Sequence, residues 1–247
     1  MRIALLSDLH ANYEALAACL DHARRNGAKR LVFLGDLVGY GADPGRVLDT
    51  VMGLVQKGAV AVLGNHDDAV IAEASPLMHP EARMAIEWTR NQLTPAHGEF
   101  LRQLPLTWEE DDRLYVHANA WSPREWEYIT SPFDAGRSMR ATERRVTFCG
   151  HVHEPTLFHM GGDGRVAAFL PVPGTGVPLS LRRRWLAIPG SAGQPRDGNP
   201  AASYAIFDPA TSTATWHRVV YDHLAAAEKI RGAGLPQVFA ARLEVGL

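Results

Sequence analysis

Two hydrophobic periods alternate along the first quarter of the chain. Arg2-Ile3-Ala4-Leu5-Leu6-Ser7 is a short apolar run ending in polar residues, which predicts a strand. Asn12 then stands as a helix cap before an apolar stripe at Leu16, Cys19, Leu20 and Ala23, the spacing of one buried helical face. Gly27 supplies the left-handed stop, and Arg30-Leu31-Val32-Phe33-Leu34 predicts the second strand. Asp43-Pro44 opens the next helix as cap and first residue, with a stripe at Val47, Leu48, Val51, Leu54 and Val55 and an end at Gly58. Ala59 to Leu63 predicts the third strand. Nearly continuous apolar strands alternating with amphipathic helices predict an α/β sheet covered by helices on at least one face.

Residues 68–104 carry a helical pattern broken at Pro76, Pro80 and Pro95. Beyond them, Leu114 to His117 and Arg145 to Cys149 read as strands. From about residue 155 to 220 short runs lie between Gly and Pro: Thr156 to Met160, Val166 to Leu170, Trp185 to Ile188, Tyr204 to Phe207 and Thr213 to Val219. That spacing predicts a more antiparallel sheet. Helical segments close the pattern near 222–231 and 237–244. With no internal repeat or low-complexity linker, the expectation is one domain over residues 1–247, two packed sheets with helices outside. A division near 120–145 is the alternative.

Composition adds exclusions. With 247 residues, 46% hydrophobic and 21% charged, the chain is neither disordered nor collagen-like. The net charge of −2 argues against a broad nucleic-acid-binding face. No apolar run approaches the ~20 residues of a membrane helix. The run Ile3 to Leu6 is too short for a signal-peptide core. Cys19 and Cys149 form no CxxC pair, so reduced thiols in a cytoplasmic protein are expected and a disulfide framework is not. The 11 histidines stand out, and their positions carry the functional argument.

Each of five apolar strands is followed at once by polar, chemistry-bearing residues. These are Ser7-Asp8-Leu9-His10, Gly35-Asp36, Gly64-Asn65-His66-Asp67, His117-Ala118-Asn119 and Gly150-His151-Val152-His153. In open α/β sheets ligands bind just outside the carboxyl ends of the strands, so the five ends can converge. A lone Asp or His there would be a cap or a surface residue, and an isolated His-x-His is weak; five in order are not accounted for that way. Asp8, His10, Asp36, Asn65, His117, His151 and His153 offer two carboxylates, four imidazoles and an amide oxygen. Seven ligands match two ions sharing a carboxylate. Mixed nitrogen and oxygen donors without thiolate suit Mn, Fe, Zn, Co or Ni rather than Ca or Mg.

These blocks, in their order and spacing over residues 1–155, resemble the signature of the calcineurin-like metallophosphoesterases. The resemblance implies a two-sheet sandwich flanked by helices, four-layer α/β/β/α, with a dinuclear centre. It implies that Asp8, His10, Asp36 and His153 hold one ion, and that Asp36, Asn65, His117 and His151 hold the other, with Asp36 bridging. Manganese is the first expectation for the pair of divalent transition-metal ions. His66, beside the centre but surplus to the ligand count, is implied as general acid. The chemistry expected is attack of metal-bound hydroxide, available because such water has a pKa near 7 rather than 15.7. Asp67 or Asp68 is a candidate to orient His66, with capping of the following helix as the plain alternative.

Departures narrow the branch. The phosphoprotein phosphatases of the family carry an Asp and an Arg soon after the second block, where this chain has Gly39 and Tyr40. They also carry an Arg before the third block, where this chain has Leu63. The chain is closer to the small bacterial and archaeal phosphoesterases, including relatives of diadenosine tetraphosphatases. A metallo-β-lactamase signature fails, because Glu154-Pro155 follows His153. No Gly-x-Ser-x-Gly supports a serine nucleophile, and no block is degenerate as in an inactive scaffold. Tyr40 and Arg196, the latter in the Gly- and Pro-rich stretch 189–200, are candidate substrate-side residues. Trp121, Trp126 and Tyr128 are candidates for stacking or for core packing, and Arg182-Arg183-Arg184 for steering or for a solvated strand start. The expected substrate is a small phosphate ester, phosphomonoester, phosphodiester or dinucleoside polyphosphate, with a nucleotide among the choices and a homo-oligomer left open.

Overall fold

The computed structural model describes residues 1–72 and 78–247. The predicted break at Pro76 lies outside the described residues. The chain opens with β1 (Arg2–Leu6), α1 (Tyr13–Arg25), β2 (Ala28–Phe33), α2 (Pro44–Val55) and β3 (Val60–Ala61). Then come α3 (Asn65–Ile71), α4 (Pro80–Gln92), α5 (Pro95–Gln103), β4 (Thr107–Glu110), β5 (Arg113–Val116), α6 (Pro132–Arg140) and β6 (Val146–Phe148). It continues through β7 (Thr156–Met160), β8 (Val166–Phe169), β9 (Gly176–Pro178), β10 (Arg184–Ile188), β11 (Ala202–Asp208) and β12 (Thr213–Val219). It ends with α7 (His223–Gly232) and α8 (Gln237–Val245).

Two mixed six-stranded sheets result, ordered β3-β2-β1-β11-β12-β9 and β4-β5-β6-β10-β7-β8. The strands after residue 155 pair with one another antiparallel, as the spacing predicts, but they divide between the two sheets. β7, β8 and β10 join the second sheet, whereas β9, β11 and β12 extend the first. Local periodicity reports which face of a strand is buried, but not which sheet buries it. The third predicted strand is cut to two residues, because Val62 and Leu63 bond irregularly, to Phe33 O and Pro105 O.

Alternation sorts the side chains into layers. Ile3 and Leu5 of β1 face the second sheet and meet Tyr115, Phe148 and Trp185. Ala4 and Leu6 face the other way, onto Leu16 and Cys19 of α1, Val47 and Leu48 of α2 and Phe239 of α8. Beyond the second sheet, Ala135 and Met139 of α6 cover Leu114, Phe158 and Leu186. The order is therefore helices, sheet, sheet, helix, and β1 reads as an unbroken apolar run because both its faces are covered.

The caps are partly as predicted. Asn12 accepts from Ala15 N, and Gly27 takes φ +76°. Asp43 precedes α2 but makes no capping bond with its side chain. Its carboxylate instead takes Lys229 Nζ at 2.6 Å, and Glu14 takes the same ammonium at 2.5 Å, which ties α7 across the starts of α1 and α2.

Candidate metal centre

β1, β2 and β3 run parallel, as do β5, β6 and β10 in the other sheet, so six strand ends open on one edge of the sandwich. Backbone bonds stitch the loops that leave those ends. Asp8 N donates to Gly35 O, His10 N to Asp36 O, Gly150 N to His117 O, and Ala192 N to Ser7 O. The loops turn sharply. Asp8, His10, Asp36, His151 and His153 all have φ between +45° and +68°. Non-glycine residues adopt that region at a cost and keep it only where the surroundings enforce it. Two glycines let the loops touch. A Cβ on Gly64 would meet the backbone nitrogen and Oδ1 of Asp36, and one on Gly150 would meet Ser7 Oγ and, at 2.6 Å, Asp8 Oδ2.

The structure brings all seven ligand candidates together, six of them buried and Asn65 half-buried. Each imidazole has its outer nitrogen against a backbone carbonyl. His10 Nδ1 meets Val38 O at 3.2 Å, and His117 Nδ1 meets Leu34 O at 2.7 Å. His151 Nε2 meets Trp126 O at 2.9 Å, and His153 Nδ1 meets Gln194 O at 2.6 Å. A carbonyl only accepts, so each outer nitrogen carries a proton, and each inner nitrogen is the one left to take a cation or a second proton. The inner atoms crowd. His10 Nε2 is 3.1 Å from His153 Nε2, and His117 Nε2 is 3.1 Å from both His151 Nδ1 and Asn65 Oδ1. Lone pairs at that separation repel unless a cation or proton lies between them.

The carboxylates complete the pattern. Asp36 Oδ2 lies 3.7 Å from His10 Nε2 and 3.4 Å from His117 Nε2, between the two imidazole pairs, while Asp36 Oδ1 accepts from His66 N at 2.8 Å. Asp8 Oδ1 lies 3.3 Å from His153 Nε2 and 4.0 Å from His10 Nε2. Donor atoms of Asp8, His10 and His153 fall within one coordination-sized space, and those of Asp36, His117 and His151 within another. The donor set and its geometry fit divalent ions.

Electrostatics follow from burial and crowding. Burial opposes the Asp8 carboxylate, yet His153 and His117 hold its pKa well below the usual range. Burial likewise opposes the charge on Asp36, which His117 and His66 more than offset, so its pKa is also lowered. Burial works against a charge on His117, but Asp36 and Asp8 raise it to about 9. Burial lowers His66 to about 4 and His151 to about 3.

Asp67 does not orient His66. Its Oδ1 accepts from Leu37 N and Val38 N and its Oδ2 from Gly64 N, so it caps α3 and clamps two loops; burial pushes its pKa up to about 8. Asp68 pairs with Arg124 at 3.5 Å, and among the described residues His66 Nδ1 is buried with no hydrogen-bond partner. Tyr40 packs 4.4 Å from the His66 ring, 4.5 Å from His10 and 4.7 Å from Phe239 of α8. Tyr128 stacks on His151 at 4.0 Å. Trp121 instead lies under Arg137 against the outer core, and Arg182 and Arg183 are exposed in the turn before β10. The carbonyls of Val38, Leu34, Trp126 and Gln194, which orient the imidazoles, have no signature in the sequence.

The model of the calcineurin-like phosphoesterase superfamily domain matches residues 1–212. The chain belongs to that superfamily and is a phosphoesterase, a hydrolase. Its structure matches the crystal structure of a metallophosphoesterase from Sphaerobacter thermophilus with a TM-score of 0.89 at 38% identity, over 100% of this chain and 99% of that one. An uncharacterised protein of Methanocaldococcus jannaschii is 34% identical over 254 residues, 99% of this chain and 98% of its own. A symmetrical bis(5'-nucleosyl)-tetraphosphatase of Aeromonas salmonicida is 35% identical over 135 residues, 50% of this chain and 48% of its own. Among the described residues no helix is long and apolar enough to cross a membrane.

Proposed function

We propose that the chain is a dinuclear-metal phosphoesterase acting on small phosphate esters, with residues 1–247 forming one domain. The observation that carries this reading is the inward turn of four carbonyl-tethered imidazoles, in two pairs, about a single Asp36 oxygen. Asp8, His10, Asp36 and His153 hold one ion and Asp36, Asn65, His117 and His151 the other, with Asp36 shared. When bound, two such ions supply Lewis acidity toward a phosphoryl group and acidify water to near neutral pH. The outer carbonyls fix the ligand tautomers, and Asp67 holds the loops carrying Asp36 and Asn65 in register.

His66 donates the proton to the leaving oxygen. It sits at the start of α3 next to Asn65, and among the described residues its Nδ1 has no hydrogen-bond partner. Burial disfavours its cation. The donor role therefore requires an anion beside it, which a bound phosphate ester supplies. Tyr40 and Arg196 face the substrate. Gly39 and Tyr40 at the places of the phosphatase Asp and Arg argue against a phosphoprotein substrate. The buried free thiols of Cys19 and Cys149 suit a reducing cytoplasm.

The test is a panel of phosphomonoesters, phosphodiesters and dinucleoside polyphosphates assayed with metal-stripped protein reloaded with Mn, Fe, Zn, Ni, Co or Mg. Hydrolysis restored by a transition metal, Mn first, is expected. No hydrolysis of any ester with any ion would overturn the reading and leave a scaffold.

A further inference from the structure

His66 is tied at its backbone, but its ring is held differently from the other imidazoles of the centre. Its N donates to Asp36 Oδ1 at 2.8 Å. The four ligand imidazoles are each aimed by a backbone carbonyl. His66 is only 4% exposed, yet among the described residues no hydrogen bond holds its Nδ1. What fixes the ring is what surrounds it.

Three surfaces do so. Gly39 lies against Nδ1: a Cβ built there would stand 2.6 Å from His66 Nδ1, 3.0 Å from Cγ and 3.1 Å from the His66 Cβ. Tyr40 packs its ring 4.4 Å from the His66 ring at 60°, and His10 meets it edge-on at 5.0 Å and 86°. The walls are themselves pinned. Gly39 and Tyr40 hold φ +90° and +64°, and Gly41 N donates to His10 O at 3.1 Å. Asp67 Oδ1 accepts from Leu37 N and Val38 N, so one turn of α3 carries both the His66 ring and the clamp on the loop beside it. Phe239 backs Tyr40 at 4.7 Å.

We propose that Gly39 and Tyr40 are positioning residues, and that the slot they form aims the His66 ring by shape alone. Nδ1 is sealed against Gly39, so Nε2 is the nitrogen left to face the cleft that His66 lines. There its N–H bond breaks and an O–H bond forms on the leaving oxygen as the P–O bond opens. This rests on the acid role given to His66 in the reading above. Proton transfer needs the donor within hydrogen-bond reach, and a misplacement of about 1 Å can cost on the order of 10² in rate. A side chain at position 39 would push the ring off that line; loss of the Tyr40 ring would let it swing.

The experiment uses the metal-loaded protein as wild type, Gly39→Ala, Tyr40→Phe and Tyr40→Leu, each with and without His66→Ala. Adenosine 5′-phosphate is compared with 4-nitrophenyl phosphate, and a dithymidine phosphodiester with bis(4-nitrophenyl) phosphate, using the pair that wild type cleaves. A nitrogen of His66 shares a coordination-sized space with donors of His10 and Asp36, so metal content is measured beside the rates. Gly39→Ala and Tyr40→Leu should lower kcat for the ribose ester roughly tenfold or more, and less for the nitrophenyl ester, with metals retained. In the His66→Ala background the same changes should matter less than about twofold, since two residues acting through one group are not additive. Tyr40→Phe should keep the wild-type ratio of the two rates even where KM rises. An equal loss on both esters, or a loss that persists without His66, would make the slot merely structural and overturn the proposal. If Gly39→Ala fails to fold or loses metal, equal rate ratios in Tyr40→Phe and Tyr40→Leu overturn it instead. If wild type cleaves no ester, the hydrolytic reading fails. The slot is then decided by nuclear magnetic resonance of the zinc-loaded protein, where a contact between the His66 ring and the Gly39 α protons is expected and its absence overturns the slot as well.

Discussion

Asp36 and Asp8 are both buried carboxylates, yet their surroundings differ. One oxygen of Asp36 faces both imidazole pairs, whereas Asp8 faces the His10–His153 pair alone. Asp36→Ala is therefore expected to strip the protein of both ions, and Asp8→Ala to weaken one, read as metal content per chain by mass spectrometry; equal losses would contradict the sharing. His66→Ala should keep its metals and lose about 10²–10⁴ in rate with an alkyl or ribose leaving group, the usual worth of a general acid. With a nitrophenolate, which leaves without a proton, the deficit should shrink. An equal deficit for both leaving groups with metals retained would remove His66 from that role. The ligand candidates were legible because each stands directly after an apolar run. The outer-nitrogen partners were not, since every residue has a carbonyl and only folding selects four of them. Asp67 was legible in part: its capping of α3 through Gly64 N is one of the two roles its sequence position offers, whereas the reach of its other oxygen to the amides of Leu37 and Val38 is set only by folding.

At the scale of elements, α8 reaches the site from outside it. Phe239 is buried and packs on Tyr40, which itself holds φ +64° against His10 and His66. Gly246, just past α8, accepts a bond from Gly198 in the loop that carries Arg196. Phe239→Ala should cost about 3–5 kcal/mol, as truncation of a buried aromatic does. The urea midpoint measures it, and a loss under ~1 kcal/mol would show that α8 is not integral to the core. The repeated strand–helix units at the start were legible from their apolar stripes. α6, β4 and β9 were not. α6 is a short nine-residue helix opening at Pro132 with a half-polar sequence, and β4 and β9 are short with little burial. Sheet membership after residue 155 depends on pairings hundreds of residues apart in some cases, such as Ile3 with Phe207.

For the whole molecule, ions bound at a centre where two sheets meet stabilise the fold by mass action, about 2.7 kcal/mol at a concentration 100 times the dissociation constant. Chelation should lower the thermal midpoint, and metal restore it. Because backbone bonds between loops fix the ligands, the far-ultraviolet circular dichroism at 25 °C should stay unchanged; its collapse would mean that the ions build the loops. The pairing of β1 with β11 also sets an order of events as the protein is made. β1 is synthesised well before the strand that closes its second edge, Ala202–Asp208. At about 5–20 residues per second, that edge waits on the order of ten to forty seconds for its neighbour. Over that interval an apolar strand with bare amides is open to other nascent chains, so the crowding of ribosomes on one message, rather than the stability of the finished fold, becomes the sensitive point in producing this protein.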